Sequence, residues 1–147
     1  MAFADLLRLK TARMSVVADI IDSLNALAFP AWTDYTPTLS ASGSMTYTST
    51  TIGVAKYLKL GNIGLIHIQV SGTTGGTAST DLRFSLPSGW SLSNDSRPSL
   101  CRISDGSGQA GEFLASSTLI IARNVAGGNW GLGASRSYRG LVSVILS

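Results

Sequence analysis

One cysteine, one histidine and a charged fraction of only 13% stand out in this 147-residue chain. Each shortage closes off a class of protein. Cys101 alone forms no intrachain disulfide and cannot build a metal site by itself; in the alternating stretch around Leu100 and Ile103 it reads as a small core residue. His67 alone rules out a His-rich metal site and leaves a single candidate general base. It sits among apolar neighbours in a predicted strand, where a buried, hydrogen-bonded imidazole is expected. The charged share is about half of the ~25% usual in soluble domains, so the surface is neutral and polar, and part of it is expected to be hidden between subunits. No stretch approaches the roughly 18 apolar residues of a membrane span. Asp19 and Asp22 interrupt the apolar run that follows Arg8, Lys10 and Arg13, so no signal peptide and no membrane insertion are expected.

Glycine is missing from the first 42 residues. All 16 glycines lie beyond Phe29 and Pro30, where the chain turns to Ser, Thr and Gly with period-2 apolar runs. Before that point apolar residues recur at helical spacing. The chain is therefore divided into an N-terminal attachment and oligomerising helix, 1–29, and a β head, 30–147. The charges of 1–31 cancel, so the net +3 belongs to the head. There Lys56, Lys59, Arg83, Arg97, Arg102, Arg123, Arg136 and Arg139 are scattered, with none of the runs that mark a nucleic-acid stripe.

Heptads read from Met14 put Phe3, Leu7, Lys10, Met14, Val17, Ile21, Leu24 and Ala28 at the a and d positions, all apolar except Lys10. A second stripe, Leu6, Val16, Ile20 and Leu27, widens the face beyond a dimer seam and favours a homotrimer. Leu7, Met14, Val17, Ile20, Ile21, Leu24 and Leu27 are the expected oligomer interface. Thr11 also reads as an N-cap, which would start the helix near 11 and leave 1–10 as a separate arm. Alternatively, the helix covers the β core of its own monomer. Pro30 ends it and biases Phe29 away from helical angles.

Ten strands are predicted in the head, at 34–39, 44–51, 54–60, 63–71, 81–86, 98–104, 111–115, 117–123, 129–133 and 138–146. Short strands separated by turn residues predict an antiparallel sandwich or barrel. Gly61-Asn62 marks a tight hairpin. Along 63–70, one face carries Ile63, Leu65, His67 and Gln69 and the other Gly64, Ile66, Ile68 and Val70. With both faces largely apolar, this strand is expected to be central or to lie at a subunit interface.

With those segments placed, Trp32-Thr-Asp-Tyr-Thr-Pro-Thr38 resembles the Trp-x-x-Tyr-Thr-Pro-Thr opening of small β-rich heads in bacteriophage tail-fibre and head-fibre proteins. The resemblance continues through Ala55-Lys-Tyr-Leu-Lys-Leu-Gly-Asn62 and its following apolar strand, the Gly/Thr-rich turn at 71–80, and Leu82-Arg-Phe-Ser-Leu-Pro87. Upstream, Thr11-Ala-Arg-Met14 is similar to the helix start that often precedes such heads, although Ser15 stands where Asn is usual. The resemblance implies a virion surface component, generally trimeric, made in the host bacterial cytoplasm and attached to capsid or tail proteins through its N-terminus. It implies a mainly β fold, an antiparallel β-sandwich or jelly-roll-like head preceded by a short N-terminal coiled-coil helix, and it carries over no catalytic residue.

Motifs with chemistry are scarce. Gly106-Ser-Gly-Gln-Ala-Gly111 fits G-x-G-x-x-G, but the stretch after it, Glu112–Ser116, is too short and Ser-rich for the required helix and no acidic residue lies beyond Glu112 to bind a ribose, so it reads as a flexible hairpin loop. No G-x-S-x-G elbow is present, and Asp34, Asp81, Asp95, Asp105 and Glu112 are not clustered as a glycosidase pair. No enzyme, cofactor or metal is expected. Trp90 and Trp130 lie in turn-rich segments beside Ser, Asn and Arg, which makes them candidate stacking rings for a host-surface glycan. The alternative is that they plug the core or the subunit interface. Trp32, just after Pro30, is expected to lock the junction between helix and head.

Overall fold

The structure, a computed structural model, describes residues 16–20, 30–93, 99–104 and 110–147. Residues 16–20 are helical, with Val16, Val17 and Ile20 exposed. Leu7, Met14, Ile21, Leu24 and Leu27 lie outside the described residues, as do 105–109 of the glycine loop, and no coiled-coil helix is evident among those described. Ala31–Ser147 is a compact unit of its own.

That unit is one antiparallel sheet of nine strands: β1 (Thr33–Asp34), β2 (Leu39–Ala41), β3 (Met45–Leu60), β4 (Ile63–Gly76), β5 (Asp81–Ser85), β6 (Ser99–Ser104), β7 (Ala110–Ser116), β8 (Leu119–Asn124) and β9 (Gly133–Ile145). Its order is β1-β3-β4-β9-β6-β7-β8-β5-β2. The sheet is curled, so that Phe84 of β5 stacks on Tyr138 of β9 at 5.8 Å between ring centroids. Phe113 meets both rings edge-on at 5.7 and 6.0 Å, and Trp130 meets Tyr138 at 6.5 Å. Ile66, Ile68, Val70, Leu82, Ile103, Ile120, Val142 and Val144 complete a core free of solvent.

The longest pair, β3 with β4, turns through Gly61-Asn62, with Leu60 opposite Ile63 and Gly61 at φ +60°. A positive φ at the first central position alone is the geometry of a type II′ turn, which glycine adopts without strain. The predicted strands 44–51 and 54–60 are one strand. Gly53 does not break it but is the extra residue of a bulge, since Ile52 faces Val70 and Val54 faces Gln69. Of the predicted strand 34–39, only the ends pair, Asp34 in β1 and Leu39 in β2.

Segment 129–133 is not a strand until its last residue. It crosses the opening of the curl, held by the Trp130 backbone N–H to Ser79 O (2.8 Å) and the Thr74 hydroxyl to Gly131 O (3.1 Å). Asp81 forms a second clasp. Its backbone N–H donates to Ser42 Oγ at 3.0 Å, and the Ser42 N–H donates back to Asp81 O at 3.0 Å. Its carboxylate accepts from Arg123 Nε (3.0 Å), Arg83 (3.1 Å) and the Thr80 hydroxyl (2.8 Å). Edge strand β2 and its turn into β3 are thereby tied to β5 and β8.

Candidate functional site

The two candidate glycan rings are structural. Trp130 is 1% exposed, and its indole N–H donates to Ala122 O at 3.2 Å. No face of this ring is free for a sugar, which corrects the expectation for Trp130. Trp90 is half-buried, edge-on to Tyr57 at 5.2 Å. Its six-membered ring lies so close over Gly64 that a Cβ there would sit 2.4 Å from it. The two rings close opposite ends of β4, Trp90 beside residue 64 and Trp130 beside residue 74. Steric closure accounts for both, which leaves the candidate glycan role at Trp90 with only its outer edge.

His67 corrects a second expectation. Ile66, Ile68 and Val70 face the core, and His67, one residue out of phase with them, faces solvent. It shares the outer surface of β4 with Ile63, Leu65 and Gln69. Register extends that surface sideways in rows of neighbours: Leu60, Ile63 and Ile145; Leu58, Leu65 and Ser143; Lys56, His67 and Leu141; then Gln69, Arg139 and Arg102. The rows change character along the strands. Toward the hairpin they are apolar, and Ile63 and Leu60 are well exposed, as is Leu141 at 50%. Away from it they become cationic and amide-bearing.

The polar end of this surface is concave. Trp32, His67, Gln69, Arg102, Arg139, Gly140 and Leu141 line an open groove of about 440 Å³. Trp32 is 43% exposed, and its ring stands edge-on to His67 at 6.4 Å. Arg102 of β6 and Arg139 of β9 are direct cross-strand partners. Among the described residues no carboxylate lies within ion-pair distance of either. Lys56, the nearest other cation by register, pairs with Asp34 at 3.4 Å. Cross-strand like charges repel, so the pair is a local cost that the described chain does not offset.

In the sequence the two arginines are scattered, 37 positions apart; only the β6–β9 pairing of strands distant in sequence joins them. Trp32 was singled out for a different task. The signal that could have been noticed is the mixed outer face of 63–70, apolar at one end and His-Gln at the other.

Nucleophilic or acid–base chemistry has little support elsewhere. Burial first, and then the Glu112 charge, push the Cys101 thiol up to about 12, far from a reactive thiolate. Among the described residues no group of three or more His, Cys, Asp or Glu could hold a metal ion. No helix among the described residues is long and apolar enough to cross a membrane. No protein-family model, curated protein or solved structure matches the chain.

Proposed function

We propose that this chain is a structural component of a bacteriophage particle, a homotrimeric fibre, spike or decoration protein whose β head, of jelly-roll-like sandwich type, is displayed on the surface. Residues 1–29 trimerise it and attach it to capsid or tail proteins. The observation that carries this reading is the apolar outer surface of β3, β4 and β9. A monomeric head needs apolar residues on one face of its sheet, and the inner face already supplies the core. Leu58, Leu60, Ile63, Leu65, Leu141 and Ile145 form a second, contiguous apolar surface on the side away from it. Contiguous exposed apolar area of this kind marks an interaction surface.

The occupant is a second copy of the same chain. The low charge of the sequence suits self-packing, the heptad stripe of 1–29 calls for like helices, and the Trp32–Thr38 resemblance belongs to proteins that generally trimerise. Burial at about 25 cal/mol per Å² of apolar surface then drives assembly. No catalytic step enters this function.

Light scattering on the full chain tests it. The expected mass is three times 15.3 kDa. Ile63→Asp with Leu141→Asp, and separately Ile21→Asp with Leu24→Asp, are expected to lower that mass while circular dichroism retains the β signal. A monomeric full chain at micromolar concentration refutes the oligomer reading.

A further inference from the structure

We propose that the groove between Trp32 and the Arg102–Arg139 pair binds an anionic saccharide, a sugar bearing a carboxylate or phosphate. The anion sits between the two guanidinium groups and the ring of the sugar lies against the indole.

Arg102 and Arg139 are direct partners across β6 and β9, on the outer face, and among the described residues no carboxylate lies within ion-pair distance of either. Two guanidinium groups lining one groove are suited to recognition of a carboxylate or phosphate, and a bound anion relieves their mutual repulsion. Gln69 is the next residue in the same row, opposite Arg139 on β4. Its amide supplies a donor and an acceptor, the pair that a vicinal diol requires. One row on, His67 and Leu141 are partners. Over them stands Trp32, whose 43% exposure leaves indole surface free for the apolar C–H face of a pyranose.

Size and openness fit the same occupant. A volume of about 440 Å³ accommodates one or two sugar rings and lies within the usual range for ligand sites of roughly 300–1,000 Å³. An open groove admits a residue within a longer chain. A neutral sugar would leave the arginine pair unused. A nucleic-acid strand would need further cations along its track, and Lys56 is already paired with Asp34. This site is distinct from Trp90 and Trp130, which are held by Gly64 and Ala122. It meets the apolar surface at Leu141, while Trp32 and the two arginines lie at the polar end of the face.

The test is isothermal titration of the full chain with trigalacturonate, with uncharged galactotriose, with glucose 6-phosphate and with a short single-stranded oligonucleotide. An anionic sugar is expected to bind at least tenfold more tightly than galactotriose and to weaken as salt is raised. The ratio of trigalacturonate to glucose 6-phosphate affinity then identifies the anion. Arg102→Gln and Arg139→Gln are each expected to cost at least tenfold, and Trp32→Ala a similar factor. All three side chains are on the surface, so melting temperature should hold. Equal binding of charged and neutral sugars, no binding of any sugar, full affinity in the double arginine variant, or tighter binding of the oligonucleotide would overturn the proposal. Light scattering on the same samples reports the oligomer separately, so failure here leaves that question independently answered.

Discussion

Asp81 is the buried charged side chain that ties β5 to β8 through Arg123, and its removal should be felt in a pH-dependent way. Burial alone would raise its pKa. Hydrogen bonds from Arg123, Thr80 and Arg83, with the Arg123 charge, outweigh burial and hold it below the ordinary 3.8. A carboxylate with a depressed folded-state value contributes stability that is fully present above its unfolded value and is lost as pH falls through the folded one. For Asp81 the contribution is therefore complete at pH 5 to 7 and fades below about pH 4.

Breaking a buried ion pair by removing one partner costs about 3–5 kcal/mol. Here the two arginines are 31% and 37% exposed, so water can solvate them once the carboxylate is gone. Asp81→Asn should accordingly cost about 2–3 kcal/mol at pH 7, below that range after discounting for solvent. At about 4 °C per kcal/mol the melting temperature falls by roughly 8–12 °C. Urea melts of both proteins from pH 7 to pH 3 measure this. The gap should be constant to pH 5 and narrow below pH 4 as the wild-type carboxylate protonates. A gap under about 0.5 kcal/mol, or one unchanged at pH 3, would refute the claim that the charged form ties β5 to β8.

Three further outcomes follow from the core. The Tyr47 and Tyr138 hydroxyls face each other deep in the curl, yet neither makes a hydrogen bond of good geometry; Tyr47→Phe and Tyr138→Phe should each change stability by less than about 1 kcal/mol in denaturant melts. A loss well above that would mean the hydroxyls are partnered in solution. Gly64→Val would drive its side chain into the Trp90 ring and Val144, so it should cost about 2–3 kcal/mol and shift tryptophan fluorescence to the red. An unchanged spectrum would show that Trp90 does not rest on Gly64. Cys101, buried between Gly111 and Gly140 with its thiol pushed up to about 12, should react with a thiol reagent at least a hundredfold more slowly in the native chain than in urea; comparable rates would place it at the surface.

Much of the sheet was legible because alternation is local. The two faces of 63–70 sort correctly by parity, and Gly61-Asn62 announces its own turn. What alternation cannot supply is the sign, which face is inside, when both faces carry isoleucine and leucine. His67 was assigned to the core for that reason, although its partners in phase, Ile63 and Leu65, belong to the exposed surface. Glycine misled in a similar way. Gly53 reads as a break and is a bulge within a 16-residue strand. Trp130 reads as the middle of a strand and is a plug on a crossing loop, because the β-propensity of a short segment is overridden by the hydrogen bonds that Ser79 and Thr74 offer it. Of the groove, only the His67–Gln69 end of the 63–70 face is legible in the sequence. The rest depends on strand order, and nothing near Arg102 in the sequence points to Arg139.

The placement of the aromatics decides where binding can occur on this head. A loop tryptophan is a ligand platform only if its faces are free; Trp130 is buried in the core, and Trp90 is half-buried over Gly64 and against Tyr57. The function of the exposed surface passes to the pleated outer face of β4 and its neighbours, where Leu141 and His67 stand at the boundary between apolar and cationic rows. If copies of the chain cover the hairpin end, that boundary becomes the rim of the interface and the groove opens beside it. Assembly and ligand capture would then share one row of side chains. A substitution at Leu141, which belongs to the apolar surface and lines the groove, should disturb both, one at Arg102 only the second, and one at Ile63 only the first. Loss of ligand binding in the Ile63 variant would refute this separation and show that the groove binds only in the assembled state.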